Sequence, residues 1–382
     1  MSVPVVTEHA MRLYRDAFVI DTHNDMPSRI LDGYDPDIRH AYGFGPTEGH
    51  TDLPRLIESG LTAVFMSAWV DAPYAATPDA SFRRALRYID AIHDFARRHP
   101  DQLLLATTAG DVRLAKRERK VAVFIGVEGG HAIETSLDRL RELYARGARY
   151  LTLTWNNGVE WAGSSIGVGE TRTGGLTDFG REVVLEMNRL GMLVDVSHVS
   201  DDTFQDVIAA SSAPVIASHS SARALNDSPR NLSDDQLRAM GRSGGVVNVN
   251  FFSQFIDPTY RRQIEQIEAT VLEARRGAAA AGRVDDAAQT EIDAVRDSLV
   301  AAVAPSPFGA FIDHIDHVAR IAGVDHVGLG SDFDGVSALP VGMEDVTGLP
   351  RIAQALLDRA YSDSDVQKIL GGNMLRVMTQ VL

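Results

Sequence analysis

Apolar, β-branched runs recur along the 382-residue chain, with amphipathic stretches between them. Eight stand out, at residues 18–25, 61–69, 121–128, 150–155, 192–198, 214–219, 245–250 and 326–332. Runs such as Val121-Ala122-Val123-Phe124-Ile125-Gly126-Val127 are apolar at nearly every position rather than at alternate ones. Strands covered on both faces read this way. The intervening stretches carry a helical period: Leu137, Leu140, Leu143 and Tyr144 share one stripe, and residues 177–190 and 308–322 repeat the arrangement. Eight strands alternating with helices in a chain of this length predict a (β/α)8 barrel of the TIM type. An open, doubly wound sheet has the same periodicity and is the competing architecture.

Two segments break the rhythm. Residues 31–51, rich in Gly, Asp, His and Tyr, form a long loop after the first strand, where barrel loops build sites. Residues 254–307 interrupt the interval before the last strand with an Arg-, Glu- and Ala-rich excursion. It reads as a solvated helical hairpin, with a flexible tip at the alanine tract 277–282. No boundary divides the chain, so residues 1–382 are expected to form one domain.

Composition narrows the function. The apolar fraction of 45% is that of a folded protein, and 37 basic against 52 acidic residues give a net charge of −15. Such a surface argues against a phosphate-backbone binder and so against nucleic acid as a partner. With no cysteine, disulfides, thiolate metal sites and a cysteine nucleophile are excluded. Charges at Glu8, Arg12, Arg15 and Asp16 break up any signal-peptide core, and no run reaches the ~18 apolar residues of a membrane span. A soluble, cytoplasmic protein without a membrane partner is expected.

The polar residues of the strands sit at their carboxyl ends: His23 and Asp25, Glu128, His198, His219 and Asp332. In a barrel these ends share one mouth, so the groups can converge. Taken singly, a histidine after a strand is more often a hydrogen-bonded core residue than a ligand, but all of them at one end form a pattern. His23 and Asp25 alternate onto one side and offer a nitrogen and an oxygen to one point, which suits zinc or a similar divalent ion. Asp21, one layer deeper, is better placed to support a ligand than to be one. His198 and His219 add a second nitrogen pair, enough for more than one ion. Two adjacent dications need a bridging anion. Many barrels of this kind use a carbamylated lysine, but the three lysines here, Lys116, Lys120 and Lys368, lie in helical or linker segments or at the wrong mouth. Glu128 is the remaining candidate. Asp332 stands where a carboxylate can take and return a proton, with a helix cap as the minority alternative. Asp334, already in a Gly-bounded turn, reads as structural.

These residues resemble the membrane dipeptidase (renal dipeptidase) family of metallopeptidases. The resemblance runs through Ile20-Asp21-Thr22-His23-Asn24-Asp25, Gly126-Val127-Glu128-Gly129-Gly130-His131, Leu151-Thr152-Leu153-Thr154, Asp195-Val196-Ser197-His198, Ala217-Ser218-His219-Ser220, Pro229-Arg230-Asn231 and Gly330-Ser331-Asp332-Phe333-Asp334-Gly335. It implies an amidohydrolase-like barrel with two zinc ions: His23 and Asp25 on one, His198 and His219 on the other, Glu128 and a hydroxide bridging. It further implies Asp332 as proton shuttle, Arg230 gripping the C-terminal carboxylate of a dipeptide, tolerance of a C-terminal D-residue, and a homodimer. One position departs. The family commonly has histidine after Leu-Thr-Leu-Thr, where this chain has Trp155, followed by Asn156. Trp155 and Asn156 are expected to contact substrate, and His131 offers a substitute imidazole unless it is satisfied locally. The expected activity is hydrolysis of dipeptides with free termini. The rivals are a related binuclear amidohydrolase acting on N-acyl amino acids, lactones or cyclic amides, and a catalytically silent binding protein.

Overall fold

The computed structural model describes residues 2–167, 174–281, 283 and 286–382. Nine parallel strands form one sheet: β1 Ile20–Asn24, β2 Ala63–Trp69, β3 Leu103–Leu105, β4 Val121–Glu128, β5 Ala148–Thr152, β6 Leu193–Asp195, β7 Ile216–Ala217, β8 Val246–Val249 and β9 Val327–Leu329. The pairings β1–β2, β2–β4 and β1–β9 close the sheet on itself. The result is an eight-stranded parallel (β/α)8 barrel, and the open doubly wound sheet is excluded.

Each expected run contains or overlaps one barrel strand. The addition is β3, three residues paired with Val121–Val123 at the foot of β4. The same edge of β4 passes to β5 from Ile125 onward, so β3 lies outside the barrel. Strands β6, β7 and β9 are shorter than their apolar runs. His198 and Asp332 lie beyond their strand ends with φ of 67° and 63°, a left-handed turn that takes each side chain out of the ladder. Such backbone positions are sparsely populated by non-glycine residues and gather at functional sites.

Aromatic rings fill the barrel interior below the mouth. Phe65 stacks on Phe124 at 4.8 Å and on Tyr150 at 5.4 Å, all three fully buried. The Tyr150 hydroxyl is the polar tip of this stack and reaches the site above it.

Above the mouth, the loop after β1 is tied down from within. The buried Arg55 guanidinium pairs with Asp52 at 2.7 Å and donates to the Gly49 carbonyl at 2.8 Å. Arg29 donates to the carbonyls of Gly45 and Glu48. The insertion holds a helical turn, Ser253–Ile256, and two helices, Pro258–Ala280 and Asp286–Ala301, that pack on each other as the expected hairpin. Gly277 to Ala280 complete the first helix, while Gly282 of the expected flexible tip lies outside the described residues. Among the described residues no helix is long and apolar enough to cross a membrane.

A side chain at Gly126 would overlap the Tyr150 ring, which has no free volume to move into. Gly126→Ala is therefore expected to cost about 1–3 kcal/mol, the usual penalty of overpacking. Urea denaturation measures this, and an unchanged midpoint would contradict the packing described.

Candidate metal centre and substrate cavity

The strand ends deliver the expected residues to one point. His23, one residue before the end of β1, has Nε2 3.1 Å from Asp25 Oδ2, 3.4 Å from Glu128 Oε2 and 4.0 Å from Asp332 Oδ1. On the far side, Glu128 Oε1 lies 2.9 Å from His198 Nε2 and 3.4 Å from His219 Nε2. The two imidazole nitrogens are 3.0 Å apart. Glu128 thus divides its two oxygens between two groups of ligand atoms.

The outer ring nitrogens fix how the imidazoles face. Ser218 donates its hydroxyl to Asp195 at 2.6 Å, so its oxygen is left to accept from His219 Nδ1 at 2.8 Å. Asp195 is held in turn by the Thr152 hydroxyl at 2.5 Å and by the amides of Ser197 and Ser218. His198 Nδ1 lies 3.1 Å from the Asn156 side-chain oxygen Oδ1. Both imidazoles therefore carry their proton outside and turn a lone pair inward, the tautomer that a metal ligand needs. His23 Nδ1 meets the Tyr150 hydroxyl at 2.8 Å.

Electrostatics make this arrangement incomplete by itself. Two imidazole lone pairs and a carboxylate oxygen face one another at 2.9–3.4 Å with no hydrogen between them. Asp25 Oδ1 is buried and lacks a hydrogen-bond partner among the described residues. Burial pushes His198 down to about 3, with the nearby Arg230 charge adding to the effect, and it lowers His219 strongly. Burial also opposes charge on His23, but Tyr150, Asp25 and Glu128 outweigh it and hold this imidazole well above its usual range. Glu128, though buried, is held well below the carboxylate range by the three histidines. A mixed nitrogen and oxygen set of this kind suits a borderline divalent cation. Nitrogens on one tetrahedral zinc would be separated by about 3.3 Å, given ~2.0–2.1 Å bonds. The donor set fits metal, in two clusters: His23, Glu128 and His219, and His23, Asp25 and Asp332.

No lysine reaches this point. Lys116 donates to the Arg15 and Ala17 carbonyls below the barrel, Lys120 pairs with Glu118, and Lys368 pairs with Asp325.

A cavity of about 680 Å³ opens over the cluster and is lined by Trp155, Asn156, Arg230 and Asp332 among others. Asp332 Oδ2 accepts from Asn250 Nδ2 at 2.8 Å, and the Phe252 amide fixes that Asn250 side chain by donating to its oxygen at 2.5 Å. Burial raises Asp332 to about 7, and the carboxylates of Asp25 and Glu128 add to the rise. Arg230 is 2% exposed and donates to the His219 carbonyl at 3.2 Å. Among the described residues its Nε has no hydrogen-bond partner and no carboxylate lies within ion-pair distance. Burial lowers it to about 10. Trp155 meets Trp69 edge-on at 5.2 Å and lies 6.4 Å from His198.

Other expectations resolve locally. His131 Nε2 bonds the Val70 carbonyl at 2.9 Å and lies outside this cavity, so it is satisfied where it stands. Asp21 accepts from the Ser331 hydroxyl and amide, tying β1 to the end of β9. Asp334 exchanges two hydrogen bonds with His50 and anchors the long loop. Sequence reasoning missed Tyr150, Asn250 and Ser218, which orient site groups, and Trp69, Phe252, Gln254 and Phe255, which line the cavity. The polar Asn250 at the end of an apolar run was a usable signal. Tyr150 gave none, because it reads as one more core residue.

Stripping divalent ions with a chelator should lower the thermal midpoint, and adding them back should restore it. A ligand present at a thousand times its Kd contributes about 4 kcal/mol to stability. A midpoint indifferent to chelation would contradict a metal-completed site.

Solved structures share this architecture from end to end. The probable dipeptidase PvdM from Pseudomonas aeruginosa superposes with a TM-score of 0.82 at 25% identity, covering 98% of each chain. Dipeptidase AC, a metallopeptidase of family M19, gives 0.75 at 28% identity over 95% of this chain and 98% of its own. A metallopeptidase from Rhodobacter sphaeroides, solved with a phosphinate mimic of the dipeptide L-Ala-D-Ala, gives 0.74 at 27% over 95% and 99%. The sequence profile described as membrane dipeptidase (peptidase family M19) matches residues 7–382. With a metal-ready cluster at the barrel mouth and this match over nearly its whole length, the chain belongs to the membrane dipeptidase family and is a metal-dependent dipeptidase.

Proposed function

We propose that the whole chain acts as one zinc-dependent hydrolase of dipeptides with free termini. His23 and Asp25 would hold one ion and His198 and His219 the other, with Glu128 contributing to each. The observation that carries this reading is the division of the Glu128 carboxylate, one oxygen toward His23 and the other toward His198 and His219. When bound, the ions polarise the scissile carbonyl and acidify an attacking water.

The chain's own residues then have defined tasks. Arg230 supplies a buried positive charge with an open donor, suited to the substrate's terminal carboxylate through a planar fork. Asp332 has Oδ2 committed to Asn250, which leaves Oδ1, the oxygen facing His23, to take a proton and pass it to the departing amine. Trp155 and Trp69 wall the cavity, meeting edge-on at 5.2 Å. Trp155 replaces the family's usual histidine and His131 is committed to Val70, so among the described residues no imidazole beyond the proposed ligands lines the cavity. Asn156, expected as a substrate contact, lines the cavity while its side-chain oxygen holds His198. A C-terminal D-residue is within the proposed range, supported by the L-Ala-D-Ala mimic bound to the Rhodobacter sphaeroides relative.

Two substitutions test these roles on zinc-loaded protein. Asp332→Asn, compared with wild type at equal measured metal content, should lower kcat by about 10²–10⁴-fold, because the proton carrier is lost. Wild-type turnover in this variant would sink that role. Arg230→Met should lower kcat/KM for dipeptides by about a hundredfold or more, as expected for an unpaired buried carboxylate. It should leave amide substrates lacking the carboxylate far less affected. Equal losses on both substrate types would instead favour an amidohydrolase that does not read a terminal carboxylate.

A further inference from the structure

The helical turn Ser253–Ile256 opens the insertion that the sequence presents as decoration, yet it is held with unusual completeness for four residues. A turn this short leaves its last carbonyls without helical partners. Here each is met by a side chain from elsewhere: Asn226 donates to the Gln254 carbonyl at 2.8 Å and Asn231 to the Phe255 carbonyl at 2.8 Å. His314 Nδ1 accepts the Ala222 amide, so its Nε2 carries the proton and donates to the Ile256 carbonyl at 3.1 Å. All three donors are buried, and the Ser253 amide adds a bond to the Ala338 carbonyl. The turn is fixed to the barrel rather than loosely attached with the hairpin that follows.

What it fixes is an aromatic face. Phe252 and Phe255 meet edge to face at 4.9 Å, are half-buried, and line the cavity beside Val336. The Phe255 ring lies under the Arg230 guanidinium at 5.4 Å. If Arg230 holds the terminal carboxylate, the residue bearing that carboxylate places its side chain within reach of this face. A cavity of about 680 Å³ leaves room for a large group there. We infer that the turn Ser253–Ile256 is the specificity element for the substrate's C-terminal residue, with Phe255 as its main determinant, and that the enzyme favours dipeptides ending in an aromatic or large aliphatic residue. This rests on the dipeptidase reading above and on the place of Arg230 in it.

The test is kcat/KM of the zinc-loaded enzyme on Ala-Gly, Ala-Ala, Ala-Asp, Ala-Leu and Ala-Phe. Ala-Leu and Ala-Phe should exceed Ala-Gly by at least about tenfold, since each methylene in an apolar pocket is worth roughly 10–200-fold. Removing Phe255 also strips the ring from Arg230 and so weakens every substrate, which makes the ratio the informative quantity. Phe255→Ala should reduce the Ala-Phe to Ala-Gly ratio about tenfold, and Phe252→Ala should reduce it by a smaller factor. A flat wild-type profile, a preference for Ala-Asp, or ratios unchanged in both variants overturns the inference while leaving the dipeptidase reading intact. Absence of hydrolysis across the whole series overturns both. Should Phe255→Ala fail to fold, the wild-type profile and Phe252→Ala decide.

Discussion

The structure turns on an electrostatic debt at the barrel mouth: the inward lone pairs of His198 and His219 and a Glu128 oxygen packed at 2.9–3.4 Å, buried, with no hydrogen between them, beside the crowded carboxylates of Asp25 and Asp332. Desolvated like charges repel strongly in such surroundings. The surrounding architecture holds these groups together despite that repulsion, and a divalent cation reverses its sign. The pressure shows in the opposed shifts of neighbouring groups, with His198 and His219 driven down while His23 is held up. A site built this way suits a metal ion, because contacts from the surrounding fold orient each of its donor groups.

The imposition comes from several layers. The Phe65, Phe124 and Tyr150 stack props His23 from below, and Asp195 locks Ser218 and through it His219 from the side. Asn250 holds Asp332, and the long loop is latched by Asp334 and His50. The first three devices each act on a single site group. Their convergence explains why residues distant in sequence, from His23 to Asp332, occupy one cluster. It also explains why the strands carrying them are short: His198 and Asp332 leave the ladder in left-handed turns, exchanging backbone pairing for side-chain position.

Much of this is legible in the sequence for a definite reason. A strand covered on both faces is largely apolar until it reaches the mouth, so His23, Glu128, His198, His219 and Asp332 stand out as metal-capable residues gathered at the carboxyl ends of their runs. Exclusion of the three lysines isolated Glu128, and each lysine is engaged elsewhere. What stayed hidden depends on tertiary contact rather than period. Leu103–Leu105 is too short to announce a strand, and Tyr150 in an apolar run gives no hint that its hydroxyl is aimed at His23. The turn Ser253–Ile256 is defined by Asn226, Asn231 and His314, far from it in sequence, so nothing local marked it as part of the cavity wall.

Anomalous diffraction at the zinc edge from crystals of metal-loaded protein addresses the central claim most directly. Two peaks roughly 3.5–4 Å apart, one on each side of the Glu128 carboxylate, are the predicted result. A single peak, or peaks remote from Glu128 with His198 and His219 left unligated, would contradict it.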